Sequence, residues 1–133
     1  IDAENNVFTN PLESANFTNC IIYGNDNPEL LLEKEPSEVF NFKFTNSLIY
    51  FDDPTGFYSG SQYDFSNTDH FENVILNNDP QFLDPSINQL NIPFGSPAEG
   101  SGIVVGNLNV DITNTTRTSP PDLGAYNATE FED

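Results

Sequence analysis

Basic residues are nearly absent from this chain, which has 3 Lys and Arg against 21 Asp and Glu and a formal net charge of -18. A nucleic-acid partner is not expected, because phosphate binding needs a basic surface that Lys34, Lys43 and Arg117 are too few to form. An anionic membrane surface is not expected as a partner for the same reason. The many carboxylates instead favour cation binding and a saline or calcium-rich setting, in which their mutual repulsion is screened.

Cysteine, histidine and long apolar runs are also scarce. The single cysteine, Cys20, excludes a disulfide within the chain, and we interpret it as a small side chain of the core. The single histidine, His70, provides neither a metal-binding cluster nor a Ser-His-Asp arrangement, and we interpret it as a surface or turn residue. No apolar run is long enough to cross a bilayer, so direct membrane insertion is not expected. The chain begins with Ile1 and without a signal peptide, which predicts a fragment or a processed chain.

A repeat is the most informative feature that the chain does contain. Residues 17–23, 44–50 and 71–77 superimpose at a fixed interval of 27 residues, with Phe, Asn and two adjacent aliphatic residues in register. The repeated segments are rich in Ile, Leu, Phe and Tyr, and turn-forming residues bound them, which predicts strands rather than helices. Residues 29–33 and 39–44 are further strand candidates. Since a period of this length is typical of stacked repeats, the predicted fold is all-β, a parallel β-helix or solenoid.

Two structural ladders follow from stacking at one strand spacing, roughly 4.8 Å. The Phe residues are expected to form an aromatic stack inside the coils, and truncating the middle ring is expected to be the most damaging change. The Asn residues are expected at a tight corner with left-handed backbone, where each amide can bond to the next. The aromatic ladder comprises Phe17, Phe44 and Phe71, and the asparagine ladder comprises Asn19, Asn46 and Asn73. The two adjacent aliphatic residues of each copy must point to opposite faces of their strand, and the sequence does not say which face is covered.

The last third of the chain carries an ordered series of short motifs. They are Leu90-Asn91-Ile92-Pro93, Gly95-Ser96-Pro97-Ala98, Gly100-Ser101-Gly102, Asp111-Ile112, Arg117 and Pro121-Asp122-Leu123-Gly124-Ala125-Tyr126. Together with residues 79–85 that precede it, this order resembles the C-terminal end of bacterial right-handed parallel β-helix surface proteins, the Bacteroidetes-type proteins of the choice-of-anchor group. The resemblance spans residues 17–126 or so and implies a right-handed β-helix in a secreted or cell-surface protein.

The repeat and the resemblance together divide the chain into two parts. Residues 1–85 are predicted to form the last coils of the β-helix, and residues 86–133 are predicted to form a C-terminal capping segment. Arg117 is expected to bond to the carboxylate of Asp111 or Asp122 or to carbonyl groups of this cap. At the N-terminal edge an open strand is expected to receive upstream β-helix coils or another chain. The residues expected to cover the end of the last coil are Ile103, Val104, Val105, Leu108, Val110 and Ile112.

Four acidic residues at turns are candidate Ca²⁺ ligands. Stacked turns bring like charges one strand spacing apart, where repulsion is on the order of 1 kcal/mol per pair in water, and a shared Ca²⁺ relieves it. In the alternative interpretation these residues are solvated turn formers, since Asp and Asn before Pro commonly start turns. No EF-hand loop or calcium-binding nonapeptide is present. The candidate ligands are Asp26, Asp52, Asp53 and Asp79.

Four tyrosines are candidate ligand-binding residues. Tyr23 and Tyr50 occupy the same repeat position, and Tyr58 and Tyr63 lie in residues 54–68, a stretch expected to leave the coil as a loop. Exposed aromatic rings beside Asp and Asn stack on sugar rings or anchor a protein partner. In the alternative interpretation the loop folds these rings against the wall of the solenoid, and their exposure distinguishes the two.

No catalytic residue is expected in this chain. A lyase needs a base and a group that neutralises the substrate carboxylate, and the few basic residues are scattered along the sequence. A hydrolase needs two carboxylates at a defined separation, and adjacent Asp residues in a turn are commonplace. We therefore expect a secreted or cell-surface scaffold or recognition module, with a polysaccharide or a neighbouring surface protein as its partner. The alternative is the C-terminal part of a polysaccharide-degrading enzyme, a lyase or a glycoside hydrolase, whose catalytic coils lie upstream.

Overall fold

The computed structural model describes residues 2–132, and within them the chain is all-β. Two single 3-10 turns, Ser61–Tyr63 and Pro85–Ile87, are the helical structure of these residues. No helix in this range has the length and apolar character needed to cross a bilayer. The strands are β1 (Leu12–Thr18), β2 (Ile21–Ile22), β3 (Phe40–Thr45), β4 (Leu48–Ile49), β5 (Phe71–Glu72) and β6 (Ile75–Leu76).

The strands form two three-stranded sheets that share one order. The first sheet is β1-β3-β5, the second is β2-β4-β6, and all four strand pairings are parallel. The register joins residues that are 27 apart in sequence, such as Phe17 with Phe44 and Leu48 with Ile75. We call each successive pair of strands a rung, so that β1 and β2 form the first rung, β3 and β4 the second, and β5 and β6 the third.

Residues 29–33, a strand candidate in the sequence, form no strand. Within this stretch, both backbone groups of Leu32 bond to side chains from the loop of residues 54–68. The Leu32 N–H donates to the Tyr63 hydroxyl at 2.8 Å, and the Leu32 carbonyl accepts from Nε2 of Gln62 at 3.1 Å. Because side chains satisfy these groups, no neighbouring strand is needed there.

The aromatic ladder runs through all three rungs. The Phe44 ring centroid lies 4.6 Å from that of Phe17 and 5.8 Å from that of Phe71, with interplanar angles of 13° and 6°. Phe44 and Phe71 are 2% and 3% exposed, whereas Phe17 is 41% exposed. The expectation that the whole stack lies inside is therefore wrong at Phe17, since within residues 2–132 no strand pairs with the outer edge of β1.

The asparagine ladder lies at the corner between the two sheets. Asn19, Asn46 and Asn73 all have left-handed backbone, with φ of 58°, 47° and 52°. The expected bond between successive amides is present only as a long contact of 3.4 Å from Asn73 to Asn46. Nδ2 of Asn46 donates instead to the Ser101 carbonyl at 3.0 Å, and Nδ2 of Asn19 donates to the Ile103 carbonyl at 2.7 Å. The C-terminal segment thus supplies the acceptors that the sequence assigned to neighbouring Asn residues.

Substitution of Asn46 separates the backbone contribution of this corner from the side-chain contribution. Asn46→Ala loses the bond to Ser101 and strains the left-handed backbone, so we expect it to lower the free energy of unfolding by about 2 kcal/mol. Asn46→Gly loses the bond but tolerates the backbone angle, so we expect a loss of about 1 kcal/mol. Urea unfolding of both variants measures the difference. Equal losses would mean that the backbone angle contributes nothing.

Adjacent residues of β4 point into two separate cores. Ile49 faces the space between the sheets, whereas Leu48 faces outward from the second sheet, and both are fully buried. Both faces of β4 are therefore covered. The sequence alone predicted that the two side chains point to opposite faces but not which face is covered. The first core consists of Leu32, Phe42, Phe44, Ile49 and Phe71. The second core consists of Leu48, Ile92, Ala98, Leu123 and Ala128.

Residues 96–103 run beside the second sheet, from the third rung toward the first, and the chain later returns, so that the Thr129 N–H donates to the Ile92 carbonyl at 3.0 Å. The Ser96 hydroxyl donates to the Pro80 carbonyl at 2.8 Å, and farther on Ser101 and Ile103 receive the amides of the asparagine ladder. Gly102 is required there, because a Cβ would lie 2.8 Å from the Pro121 carbonyl oxygen. This segment therefore covers the outward face of the second sheet, where it buries Leu48.

The residues expected to cover the end of the last coil do not do so. Val104, Leu108 and Ile112 are each about 70% exposed. The buried hydrophobic side chains of the same segment are Ile92, Ala98, Leu123 and Ala128, which belong to the second core beside Leu48. The C-terminal segment therefore buries apolar surface through other residues, and it does so against the second sheet and not at the end of the last coil.

The expected bonding of Arg117 to backbone carbonyls is confirmed. Its guanidinium donates to the carbonyls of Val110, Asp122 and Gly124 at 3.3, 3.3 and 2.9 Å. Three bonds from one planar group tie together distant parts of the C-terminal segment. These bonds give Arg117 a structural role.

Candidate functional site

The loop of residues 54–68 folds back over the backbone of residues 32–34. Besides the bonds from Tyr63 and Gln62 to Leu32, Nζ of Lys34 lies 3.5 Å from the Ser61 hydroxyl. Phe65 packs against the first core, with its ring centroid 4.5 Å from that of Phe71. The loop is therefore fixed to the rungs at several points.

Asp53 determines the start of this loop. Its carboxylate accepts the N–H groups of Phe57 and Tyr58 at 3.1 and 2.9 Å, which closes a tight turn. The turn carries the two aromatic rings side by side, with centroids 5.1 Å apart. Asp53, predicted as a calcium ligand, thus uses both carboxylate oxygens to position aromatic side chains.

A groove of about 440 Å³ lies between this loop and residues 32–34, and we call it the loop groove. Phe57 stands on its rim and is 78% exposed. Tyr58 and Tyr63 are half-buried behind it. The lining residues are Leu32, Glu33, Lys34, Phe57, Tyr58, Ser59, Gly60, Gln62 and Tyr63.

Polar groups with unused bonding capacity line the same groove. Oε1 of Gln62 is buried and has no hydrogen-bond partner in the part of the chain that the structure describes. Lys34 is the one cation among residues 2–132 that the fold leaves available, because Lys43 pairs with Glu72 at 2.6 Å and Arg117 is bound by carbonyls. Glu33 adds an exposed carboxylate. The groove therefore combines an exposed ring with donors and acceptors.

The four predicted tyrosines form two separate pairs. Tyr58 and Tyr63 have ring centroids 5.7 Å apart beside the loop groove, and Tyr23 and Tyr50 have centroids 5.4 Å apart on neighbouring rungs. Tyr23 also packs edge-on against Phe82 at 6.3 Å, beside the second core. Burial, followed by the negative charge of Asp79, raises the pKa of Tyr23. Tyr23 and Tyr50 are thus half-buried packing residues, and the exposed ring of the loop is Phe57, which lies in the same aromatic-rich stretch of the sequence as Tyr58 and Tyr63.

The four predicted calcium ligands are not brought together. Asp53 holds the loop turn, Asp79 accepts the Gln81 N–H at 2.7 Å, and Asp26 is exposed. Asp52 is half-buried. Among residues 2–132 no three Asp, Glu, His or Cys side chains converge in a way that could hold a metal ion.

A second groove, of about 430 Å³, lies on the first sheet at an irregularity of β1 between Leu12 and Ala15. The His70 and Lys43 side chains that line it already have partners. Nδ1 of His70 bonds to the Phe42 carbonyl at 2.8 Å, and the His70 ring stacks on the Phe42 ring at 4.2 Å. Lys43, which also lines this groove, is held by Glu72. These bonds leave the loop groove as the better candidate site.

One contact across the loop groove falls at the same repeat interval, whereas Gln62 and Tyr63 contact Leu32 at intervals of 30 and 31 residues. Lys34 and Ser61, which touch across the groove, are 27 residues apart, as are Leu31 and Tyr58. Extending the interval beyond the strands would have placed residues 30–36 beside residues 57–63. The signal was the period itself, because the two stretches share no residue types.

Comparison with protein-family models, with curated proteins and with solved structures gives no match for this chain.

Proposed function

We propose that this chain is a right-handed parallel β-helix module of a secreted or cell-surface bacterial protein, and that it binds carbohydrate in the loop groove without catalysing a reaction. Residues 1–85 form its coils and residues 86–133 its C-terminal segment. The parallel register of 27 residues in both sheets supports the architecture. The resemblance of the C-terminal motifs supports the right-handed twist and the surface location.

The single observation that carries the binding proposal is Phe57. A ring that is 78% exposed on the rim of a groove offers a flat apolar face, and sugar rings stack on such faces. The adjacent Gln62, Glu33 and Lys34 provide acceptors and donors for sugar hydroxyls, as small-molecule sites typically do. The net charge of -18 repels polyanions, so we expect a neutral saccharide and not a sulfated or polyuronic one.

Phe57→Ala tests the proposal. On a glycan array the wild-type chain is expected to bind neutral oligosaccharides, and Phe57→Ala is expected to weaken binding at least tenfold, which corresponds to about 1.4 kcal/mol. Phe94→Ala is the matched control, because Phe94 is 62% exposed but lies in the C-terminal segment, away from the groove. The control variant is expected to bind like the wild type.

The array should be run with Ca²⁺ and with a chelator, since calcium binding is part of the hypothesis raised by the acidic turns. Binding that requires Ca²⁺ would assign the ion a role in recognition. No binding in either condition would contradict carbohydrate recognition and would leave a scaffold role for the module.

A further inference from the structure

The outer edge of β1 has backbone groups that lack the partner found on the next rung. The Thr45 carbonyl of β3 accepts the Asn19 N–H at 3.2 Å across the boundary between the first and second rungs. Thr18 is the equivalent residue of β1, paired in register with Thr45. Its carbonyl receives only the weak Cys20 thiol contact at 3.5 Å, and no strand of the described chain pairs with that edge.

The C-terminal segment reaches the first rung and turns there. The Asn46 amide donates to the Ser101 carbonyl, and one rung earlier the Asn19 amide donates to the Ile103 carbonyl. Each rung therefore corresponds to two residues of the segment. The next carbonyl in this series, that of Val105, already accepts the Leu108 N–H at 3.0 Å in a turn, so the series ends at the first rung.

A recess lies at the same end of the stack. Its volume is about 210 Å³, and four aliphatic side chains line it together with polar ones. Phe17, the exposed end of the aromatic ladder, precedes Thr18 in β1 but does not line the recess. The recess is lined by Thr18, Asn19, Ile103, Val105, Leu108, Val110, Arg117, Pro121 and Gly124.

The opposite end of the aromatic ladder is closed, which limits what can occupy the open end. Phe71 is 3% exposed and packs against Phe65 and Phe42 as well as Phe44. A head-to-tail stack of copies would need an open ring at both ends. The occupant of the open end must therefore be a strand other than the third rung of another copy.

We propose that the first rung is a docking site for one further strand unit of the same repeat, placed N-terminal to β1 in the same polypeptide. Its strand pairs in parallel with β1, its Phe stacks on Phe17, and its Asn donates a backbone N–H to the Thr18 carbonyl. The parallel register of the existing rungs selects this occupant over a second copy, whose first rung could meet β1 only in the antiparallel sense. This inference is independent of carbohydrate binding.

A peptide of residues 39–53, which carries the second-rung motif, probes the site on the full chain. At saturation we expect amide exchange of Thr18 to slow at least tenfold, with no change at the β5 or β6 amides. The control peptide carries Phe44→Asp, which cannot stack on Phe17, and is expected to give no protection. A second control, Phe17→Asp in the full chain, changes an already exposed position and is expected to abolish protection by the unmodified peptide.

Tandem duplication of residues 12–38 ahead of Leu12 tests the same site within one polypeptide. Stacking of the added unit is expected to protect the Thr18 amide of the original copy and to raise the urea midpoint, because each repeat adds an interface. Protection in either experiment supports the proposal. It is overturned if the added unit exchanges like an unfolded peptide and the peptide protects nothing, or if the wild-type chain sediments as a dimer that protects β1.

Discussion

Phe44→Ala is expected to lower the free energy of unfolding by about 3 to 5 kcal/mol, the largest effect of any single truncation in this chain. Phe44 is 2% exposed, and its ring lies between Phe17 and Phe71 with a further edge contact to Phe42 at 6.0 Å. Its removal leaves a cavity that parallel strands cannot close, because the strand spacing is fixed by backbone hydrogen bonds. Since domains of this size are stable by only about 5 to 15 kcal/mol, the variant is expected to be near the limit of folding.

Phe17→Ala is the matched control, because it removes the same side chain from the same ladder. Phe17 is 41% exposed and stacks on one ring only, so we expect a loss of about 1 to 2 kcal/mol. Urea unfolding of both variants gives the comparison. A loss at Phe17 equal to that at Phe44 would contradict the stacked arrangement of the rungs.

The period of the sequence predicts which residues pair, because parallel strands at one spacing place equivalent side chains next to each other. Phe17, Phe44 and Phe71 pair in register for this reason. What the period cannot give is the position of a copy within the stack. Phe17 is followed by Thr and Asn, as Phe44 is, yet it is exposed because it belongs to the outermost strand.

The path of the C-terminal segment was less accessible to sequence reasoning. The sequence suggests that its aliphatic residues cover the end of the last coil. Only the contacts of Leu48 show that the segment packs on the outward face of the second sheet instead. The candidate site was partly accessible in the same way. Tyr58 and Tyr63 were predicted because they are aromatic residues in a loop rich in Gly, Ser and Asp. Gln62 and Lys34 carry no such local signal, because the groove forms only when two distant stretches of the chain come together.

Asp111 stabilises the C-terminal segment as a buried carboxylate. It is 8% exposed, and it accepts the N–H groups of Thr113, Thr115 and Asn127 at 2.8, 3.0 and 3.0 Å. The Thr113 hydroxyl donates a fourth bond at 2.6 Å. Burial raises the pKa of Asp111, but these hydrogen bonds outweigh burial and lower the pKa from 3.8 to about 2. The charged form is therefore more stable in the folded chain than in the unfolded chain.

The sign of this shift fixes a dependence of stability on pH. Because the pKa of the folded state is the lower one, the contribution of Asp111 is fully present above the unfolded value of 3.8 and is lost as pH falls through about 2. We expect this contribution to be about 2 kcal/mol. Asp111→Asn is expected to lose it, so that the difference in stability between wild type and variant shrinks from pH 6 to pH 2.

The control for net charge is Asp26→Asn, which removes an exposed carboxylate at a turn. Acid relieves the repulsion of a chain with net charge -18, and this general effect is common to the wild type and both variants. Urea unfolding of all three proteins at pH 6, 4, 3 and 2 therefore isolates the contribution of Asp111 as a difference. If the curves for Asp111→Asn and Asp26→Asn run parallel over this range, the bonds to Thr113, Thr115 and Asn127 do not depend on the charge of Asp111.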